Sequence, residues 1–265
     1  NVLLNLFLVI VCKIGVAGVA IATVVSQVIS ASLIIICLCN EEGPVRLSIS
    51  SLKINKQCLK EIAVIGLPAG LQGSLFSLSN VVIQSSVNSF GSTIMAGNAA
   101  GQNIEAFVYA SMNAFSQACM TFIGQNFGAN KISRVREVLL KCIILVTIEG
   151  ILVGNLVFLI AGKVLTLYSN DSLVIAAGVN RLKFILIPYF LCGLMDLMVG
   201  ALRGVGYSVM PMVVALIGAC AFRIVWVLTI FKVVGTIESL YISYPISWGI
   251  TFMTHMLCWF IVARR

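Results

Sequence analysis

The sequence predicts an all-α, polytopic membrane protein with seven full transmembrane helices and one truncated helix, and three observations predict it. The first is composition: 60% of the 265 residues are hydrophobic and 10% are charged. Soluble domains run to roughly 45–50% apolar and about 25% charged residues, so nine acids and seventeen bases are too few for a soluble surface of this size. The second is the length of the apolar runs, several of which reach the roughly 20 residues that a helix needs to cross ~30 Å of hydrocarbon. Helices satisfy every backbone polar group within the span, and the alternating ~10-residue segments of a transmembrane barrel are absent from the sequence. The third is the distribution of bases between the two sides of those runs.

In chain order, residues 1–12 are apolar but too short to span, with neither the basic leader nor the small-residue cleavage site of a signal peptide. They read as the end of a transmembrane helix, so the chain is expected to be the C-terminal part of a longer protein. Full spans are expected near 16–39, 62–87, 94–124, 142–162, 184–202, 209–231 and 240–263. Residues 40–60 form the longest polar stretch and read as a linker between a segment 1–39 and a bundle 61–265. One set of loops and ends holds Arg46, Lys53, Lys56, Lys60, Lys131, Arg134, Arg136, Lys141, Arg203, Arg264 and Arg265; the other holds Lys13, Lys163, Arg181, Lys183 and Lys232. Eleven bases against five put the first set, and with it the C-terminus, in the cytoplasm. This topology accounts for the net charge of +8, so nucleic-acid binding is not expected. The nine cysteines lie mostly in apolar runs and form no CxxC pair, which indicates neither a disulfide framework nor a zinc site.

Polar residues inside the spans carry the functional reading. Gln72, Asn80 and Gln84 recur at multiples of four, which places them on one helix face. Asn98, Gln102, Glu105, Tyr109, Asn113 and Gln117 recur at steps of three or four in the next span and so also share one face. Two adjacent amide-rich stripes read either as interhelical hydrogen bonds, at about 0.6 kcal/mol each, or as the wall of a water-accessible cavity; together they favour the cavity. Glu105, Glu149, Asp196 and Arg223 are charges at depth, each costing ~2.5–3.5 kcal/mol unless paired, hydrated or neutralised. Rise along the helix puts Glu105 and Arg223 within a few ångströms of one level, so these two are expected to form a structural ion pair. Three acids against one base leave an acidic excess suited to a proton or Na⁺, and Asp196, with no evident partner at its level, is the first candidate for ion coupling, ahead of Glu149 and Glu105. His255, beside Thr251 and Thr254, reads as a proton relay or as a neutral ring bonded to a hydroxyl. No HExxH, GxSxG or close acid pair suggests an enzyme.

Four stretches then become informative together: Gly66-Leu67-Pro68-Ala69-Gly70-Leu71-Gln72; Asn103-Ile104-Glu105 with Ser116-Gln117; Gly124-Gln125-Asn126-Phe127-Gly128-Ala129; and Leu202-Arg203-Gly204-Val205-Gly206-Tyr207-Ser208. In this order, along essentially the whole chain, they resemble the multidrug and toxic compound extrusion (MATE) family. The resemblance implies twelve helices in two six-helix lobes, and exchange of H⁺ or Na⁺ for small organic, often cationic, compounds by alternating access in a cell membrane, here a bacterial inner membrane. It implies no cofactor beyond the coupling ion, no metal beyond a possible Na⁺, lipid and small molecules as partners, and a monomer when complete. The chain is similar to half of helix 5, helix 6 and the C-terminal lobe, helices 7–12. The acid that many members carry in helix 7 is replaced here by the neighbourhood of Gln72 and Phe76, whereas Asp196 corresponds to the acid that several carry in helix 10. A lipid-linked oligosaccharide flippase of the same broad superfamily is the alternative. It would need a cationic cavity for pyrophosphate, and the acidic excess argues against one.

Overall fold

The structure is a computed structural model that describes residues 1–43, 46–48 and 52–264. Part of the expected linker (44–45 and 49–51) and the terminal base Arg265 lie outside the described residues. The chain divides into two compact units, Asn1–Leu59 and Lys60–Arg265. In the first, a short helix α1 (Val2–Val11) turns into α2 (Val16–Asn40). The turn is made by Lys13 and Gly15, both at positive φ (54° and 66°), and Gly18 allows α2 to lie against Leu8.

The second unit is built from α3 (Lys56–Asn88), α4 (Ser92–Gly128), α5 (Ile132–Leu165), α6 (Ser172–Leu186), α7 (Phe190–Gly204), α8 (Val209–Val234) and α9 (Ile237–Ala263). Among the described residues, α2, α3, α5, α8 and α9 are each long and apolar enough to cross a membrane. The helix α4 is longer still, and its amides and Glu105 lower its hydropathy. The pair α6–α7 is one span bent by 48°.

That bend corrects the expected span at 184–202. The helix begins at Ser172, where the Asp171 side chain accepts a hydrogen bond from the Leu173 N–H at 2.8 Å and so caps the first turn. It breaks near Pro188, which has no N–H to continue the ladder. The span is therefore longer than the hydropathy pattern suggests, and Arg181 lies inside it.

The helix α4 is central, packed against α5, α6 and α7, while α9 closes the far side against α6, α7 and α8. Backbone approach along α4 depends on absent side chains. A Cβ on Gly97 would stand 2.6 Å from the Val174 carbonyl oxygen, and one on Gly200 would stand 2.7 Å from that of Ser116. Small residues at such crossings allow tight packing where lipid offers no hydrophobic drive between helices. The core beneath includes Met112, Ile123, Leu182, Ile185, Leu197, Met198 and Leu202, all nearly fully buried. The helix α8 contains two π-helical stretches, Leu216–Ala221 and Val227–Phe231, on either side of Arg223. It ends at Gly235, whose left-handed backbone (φ 68°) is the conformation that suits a C-terminal glycine.

Candidate functional site: a polar cavity within the helix bundle

A cavity of about 630 Å³ opens among α3, α4, α6, α7, α8 and α9, within the range typical of small-molecule sites. Gln72, Asn80, Gln102, Glu105, Tyr109, Asn113, Gln117, Asp196 and Arg223 all line it. The same-face spacing on α3 and α4 brings those amides to one wall. Gln84 and Asn98 stand behind it: Asn98 Nδ2 donates to Gln84 Oε1 at 3.0 Å, Gln102 Nε2 donates to the same oxygen at 3.4 Å, and Gln84 Nε2 donates to Asn88 Oδ1 at 2.8 Å. Glu149 does not line the cavity. It meets the Ser111 hydroxyl between α4 and α5.

The expected Glu105–Arg223 pair is corrected. Glu105 is held by Arg181, whose Nη2 donates to Oε2 at 2.6 Å, while Nη1 donates to Asn98 Oδ1 at 2.8 Å. Height along the helix axis agrees with either partner, but the bend at Pro188 turns α6 so that Arg181 faces α4. Tyr189 and Tyr241 add hydroxyl bonds to Glu105 and Asn98 at 3.4 and 3.3 Å. Arg181 is 2% exposed, so this is a buried, charge-balanced network spanning α4, α6 and α9.

Arg223 has a different environment. Its Nε donates to Ser247 Oγ at 2.8 Å, and its guanidinium lies 4.2 Å from the Tyr244 ring centre and 5.8 Å from that of Trp248. No carboxylate lies within 4.0 Å of it among the described residues, and Nη2 has no hydrogen-bond partner there. Contact with an aromatic face contributes about 2 kcal/mol when desolvated, which only partly offsets the cost of a charge at this depth.

Asp196, expected to lack a partner, accepts a hydrogen bond from the Tyr109 hydroxyl at 3.0 Å. Asn113 Nδ2 donates in turn to that hydroxyl oxygen at 3.3 Å, and Ser116 Oγ donates to the Asp196 backbone carbonyl at 2.8 Å. Asp196 also lies within electrostatic reach of Arg203 and Arg223. Arg203, read from sequence as a base at a helix end, lines the cavity and donates from Nη2 to Gln72 Oε1 at 2.7 Å.

The charge balance therefore reverses the expectation. Three arginines, Arg181, Arg203 and Arg223, share the lining with two acids, Glu105 and Asp196. With Arg181 and Glu105 paired, two cations face one carboxylate. Sequence reasoning missed Arg181 and Arg203 as cavity residues, counting Arg181 among the loop and end bases and placing Arg203 at the cytoplasmic end of its helix. The cap at Asp171 signalled that Arg181 is ten residues into a helix, and nothing comparable marked Arg203. The aromatic wall sets Tyr189 and Tyr244 against Trp248 at ring-centre distances of 5.5 and 5.8 Å, tilted and edge-on; Tyr244 and Trp248 lie four residues apart on one face of α9, a signal that the sequence reading did not use. His255 is fully buried, and its Nε2 meets the Pro211 carbonyl oxygen at 3.2 Å rather than a threonine hydroxyl.

Spanning-length apolar helices, one pair of them bent, around a polar cavity define a multi-pass membrane bundle. Within it, the MatE family profile matches residues 68–229, and the chain belongs to that family. It is 26% identical over 213 residues to a probable multidrug resistance protein, NorM, of Thermotoga maritima, covering 80% of this chain and 46% of that protein. It is 25% identical over 245 residues to the multidrug export protein MepA of Staphylococcus aureus, covering 92% and 54%. The chain thus spans about half the length of these curated relatives. In fold it is similar to a MOP superfamily transporter of Pyrococcus furiosus described as having a binding pocket of reversed polarity. That likeness has a TM-score of 0.90 at 16% identity, over all of this chain and 60% of the other. These relatives are transporters rather than enzymes.

Proposed function

We propose that the chain forms the second lobe of a secondary transporter that exports small organic compounds in exchange for H⁺ or Na⁺. The observation that carries this reading is Asp196 inside a cavity large enough for a drug-sized molecule, in a membrane bundle of this family. An intramembrane acid facing a cavity marks an ion pathway, and sites of this kind lie between the two halves of a transporter. Ion and substrate compete for the Asp196 charge as the cavity changes the side to which it opens, and competition at one charge produces exchange. The coupling ion is the only cofactor in this reading, the complete transporter works as a monomer, and its setting is a bacterial inner membrane. The segment 1–39 belongs to the first lobe and 40–60 is the linker between lobes.

The test compares dye efflux in cells expressing the 265-residue chain alone with efflux in cells expressing it joined to first-half helices. Only the joined form is expected to export, and collapse of the proton gradient or removal of Na⁺ should stop it. Export by the chain alone would refute the two-lobe reading, and export indifferent to both ions would refute exchange.

Orientation rests on charge. Taking Arg181 and Arg203 out of the loops leaves the cytoplasmic excess in place, so the linker and C-terminus face the cytoplasm. In a cysteine-free background, an impermeant reagent applied to intact cells should label Ser92→Cys and not Lys53→Cys; the opposite pattern inverts the topology. A flippase for phosphate-bearing lipids is the second reading. Its support is the surplus of Arg203 and Arg223 over Asp196, and phosphate-lipid translocation by the joined form in place of dye export would favour it.

A further inference from the structure

We propose that a groove between the adjoining ends of α4 and α5, outside the central cavity, holds the headgroup of an acidic phospholipid. The site lies at the edge of the membrane, off the transport path, and it stands or falls independently of the transport reading.

The turn between the two helices makes the groove. Asn130 takes a left-handed backbone (φ 59°), and the Lys131 N–H donates to the Asn126 carbonyl at 2.8 Å, so α5 folds directly back along α4. Phe122, Gln125 and Ala129 then form one wall and Arg134, Glu137 and Lys141 the other, around a volume of about 470 Å³. Steps of three and four put each set on one face of its helix, while Val135 and Leu139 of α5 turn into the core.

The charges in this groove are not balanced. Lys131, Arg134 and Lys141 share it with one acid, Glu137, whose carboxylate lies 2.6 Å from the Lys141 ammonium. Lys131 and Arg134 have no carboxylate within 4.0 Å among the described residues. Beside them the surface is apolar: Phe122 is half exposed, Val138 lies under the bases, and the apolar run of α5 starts directly after Lys141. The cytoplasmic bias of bases sets how many stand at this end of the bundle. It does not require two unpaired ones to converge on a groove with an apolar side.

A ligand that fits must carry an anion and an apolar body joined at the depth where the hydrocarbon begins. An acidic phospholipid does both. Its phosphate meets Lys131 and the planar fork of Arg134, which suits a phosphate oxygen pair, and its acyl chains run down past Phe122 along α4 and α5. Basic pockets between transmembrane helices are sites of this kind. A soluble phosphate would use the bases and leave Phe122 without a role.

The experiment titrates the 265-residue chain, in dodecyl maltoside, with dioleoyl phosphatidylglycerol and with dioleoyl phosphatidylcholine, and counts bound lipid by native mass spectrometry. Phosphatidylglycerol is expected to bind about tenfold more tightly, as two unpaired bases at the membrane surface allow. Lys131→Gln combined with Arg134→Gln should remove the preference, and Lys163→Gln, in the last turn of α5, should keep it. Glu137→Gln frees Lys141 and should strengthen binding, whereas Phe122→Ser should weaken it. Equal affinity for the two lipids in the unaltered chain would overturn the proposal without any variant. A preference that survives the double substitution would overturn it as well, by placing the lipid elsewhere. Glycerol 3-phosphate at a concentration matching the lipid should fail to displace it; displacement, with Phe122→Ser unaffected, would reassign the groove to a soluble phosphate and overturn the lipid reading.

Discussion

Glu105 and Asp196 are both carboxylates on the wall of one cavity, but they are partnered differently. Glu105 meets a guanidinium at 2.6 Å, and that guanidinium also holds Asn98; the charges cancel and three helices are tied together. Asp196 has one phenol hydroxyl at 3.0 Å, and the two nearby arginines are engaged elsewhere, with Gln72 and with Ser247. A paired and buried charge is costly to disturb and therefore structural. A charge held by a single neutral hydrogen bond can exchange that bond for an ion or a substrate group. Depth in the membrane does not by itself mark an acid as functional; the identity of its partner decides.

The largest effect is expected at the paired end. Glu105→Gln leaves Arg181 buried without its carboxylate, and breaking one partner of a buried pair typically costs about 3–5 kcal/mol. Denaturant unfolding in micelles should show a loss of that size. Replacing both charges, Glu105→Leu with Arg181→Met, should recover most of it, since well-packed apolar pairs often match buried ion pairs. A loss too small to resolve in the single variant would erase the contrast between the two acids.

The next effect is steric. Gly200→Ala drives a methyl toward the Ser116 carbonyl, 2.7 Å away, and overpacking of this kind costs about 1–3 kcal/mol. Because Ser116 also bonds the Asp196 backbone, this change should shift the Asp196 end more than the Glu105 end. Hydrogen exchange localised to α4 and α7 would register it.

The smallest is Tyr109→Phe, which removes the hydroxyl from Asp196. One interhelical hydrogen bond in a membrane is worth about 0.6 kcal/mol, so melting should barely move. A shift comparable with that of Glu105→Gln would mean that Asp196 also belongs to a structural network.

The legible part of this molecule is what periodicity encodes. Amides at helical steps of three and four on α3 and α4 face one way whatever surrounds them, so their spacing alone puts Gln72 and Asn80 on one face and Gln102, Asn113 and Gln117 on another. Partner choice is not legible in the same way. Rise along a helix gives the depth of Glu105 and Arg223 but not the rotation of their helices, and the bend at Pro188 supplies Arg181 in place of Arg223. Hydropathy alone sets the start of that span about a dozen residues late, because Asn180, Arg181 and Lys183 interrupt it. The cap residue Asp171 is the better marker. Arg203 follows the same lesson: a base at a helix end reads as a topology charge until Gln72 on another helix is seen to hold it.

The contrast between the two acids is tested at its root by setting Asp196→Asn beside Glu105→Gln in proteoliposomes containing the chain joined to first-half helices, with ion-driven substrate exchange scored per folded molecule. Asp196→Asn is expected to fold normally and to lose the ion-driven component, while the folded fraction of Glu105→Gln retains it despite reduced stability. Ion-driven exchange unchanged in Asp196→Asn and abolished in folded Glu105→Gln would contradict this assignment and transfer the coupling role to the Glu105 end.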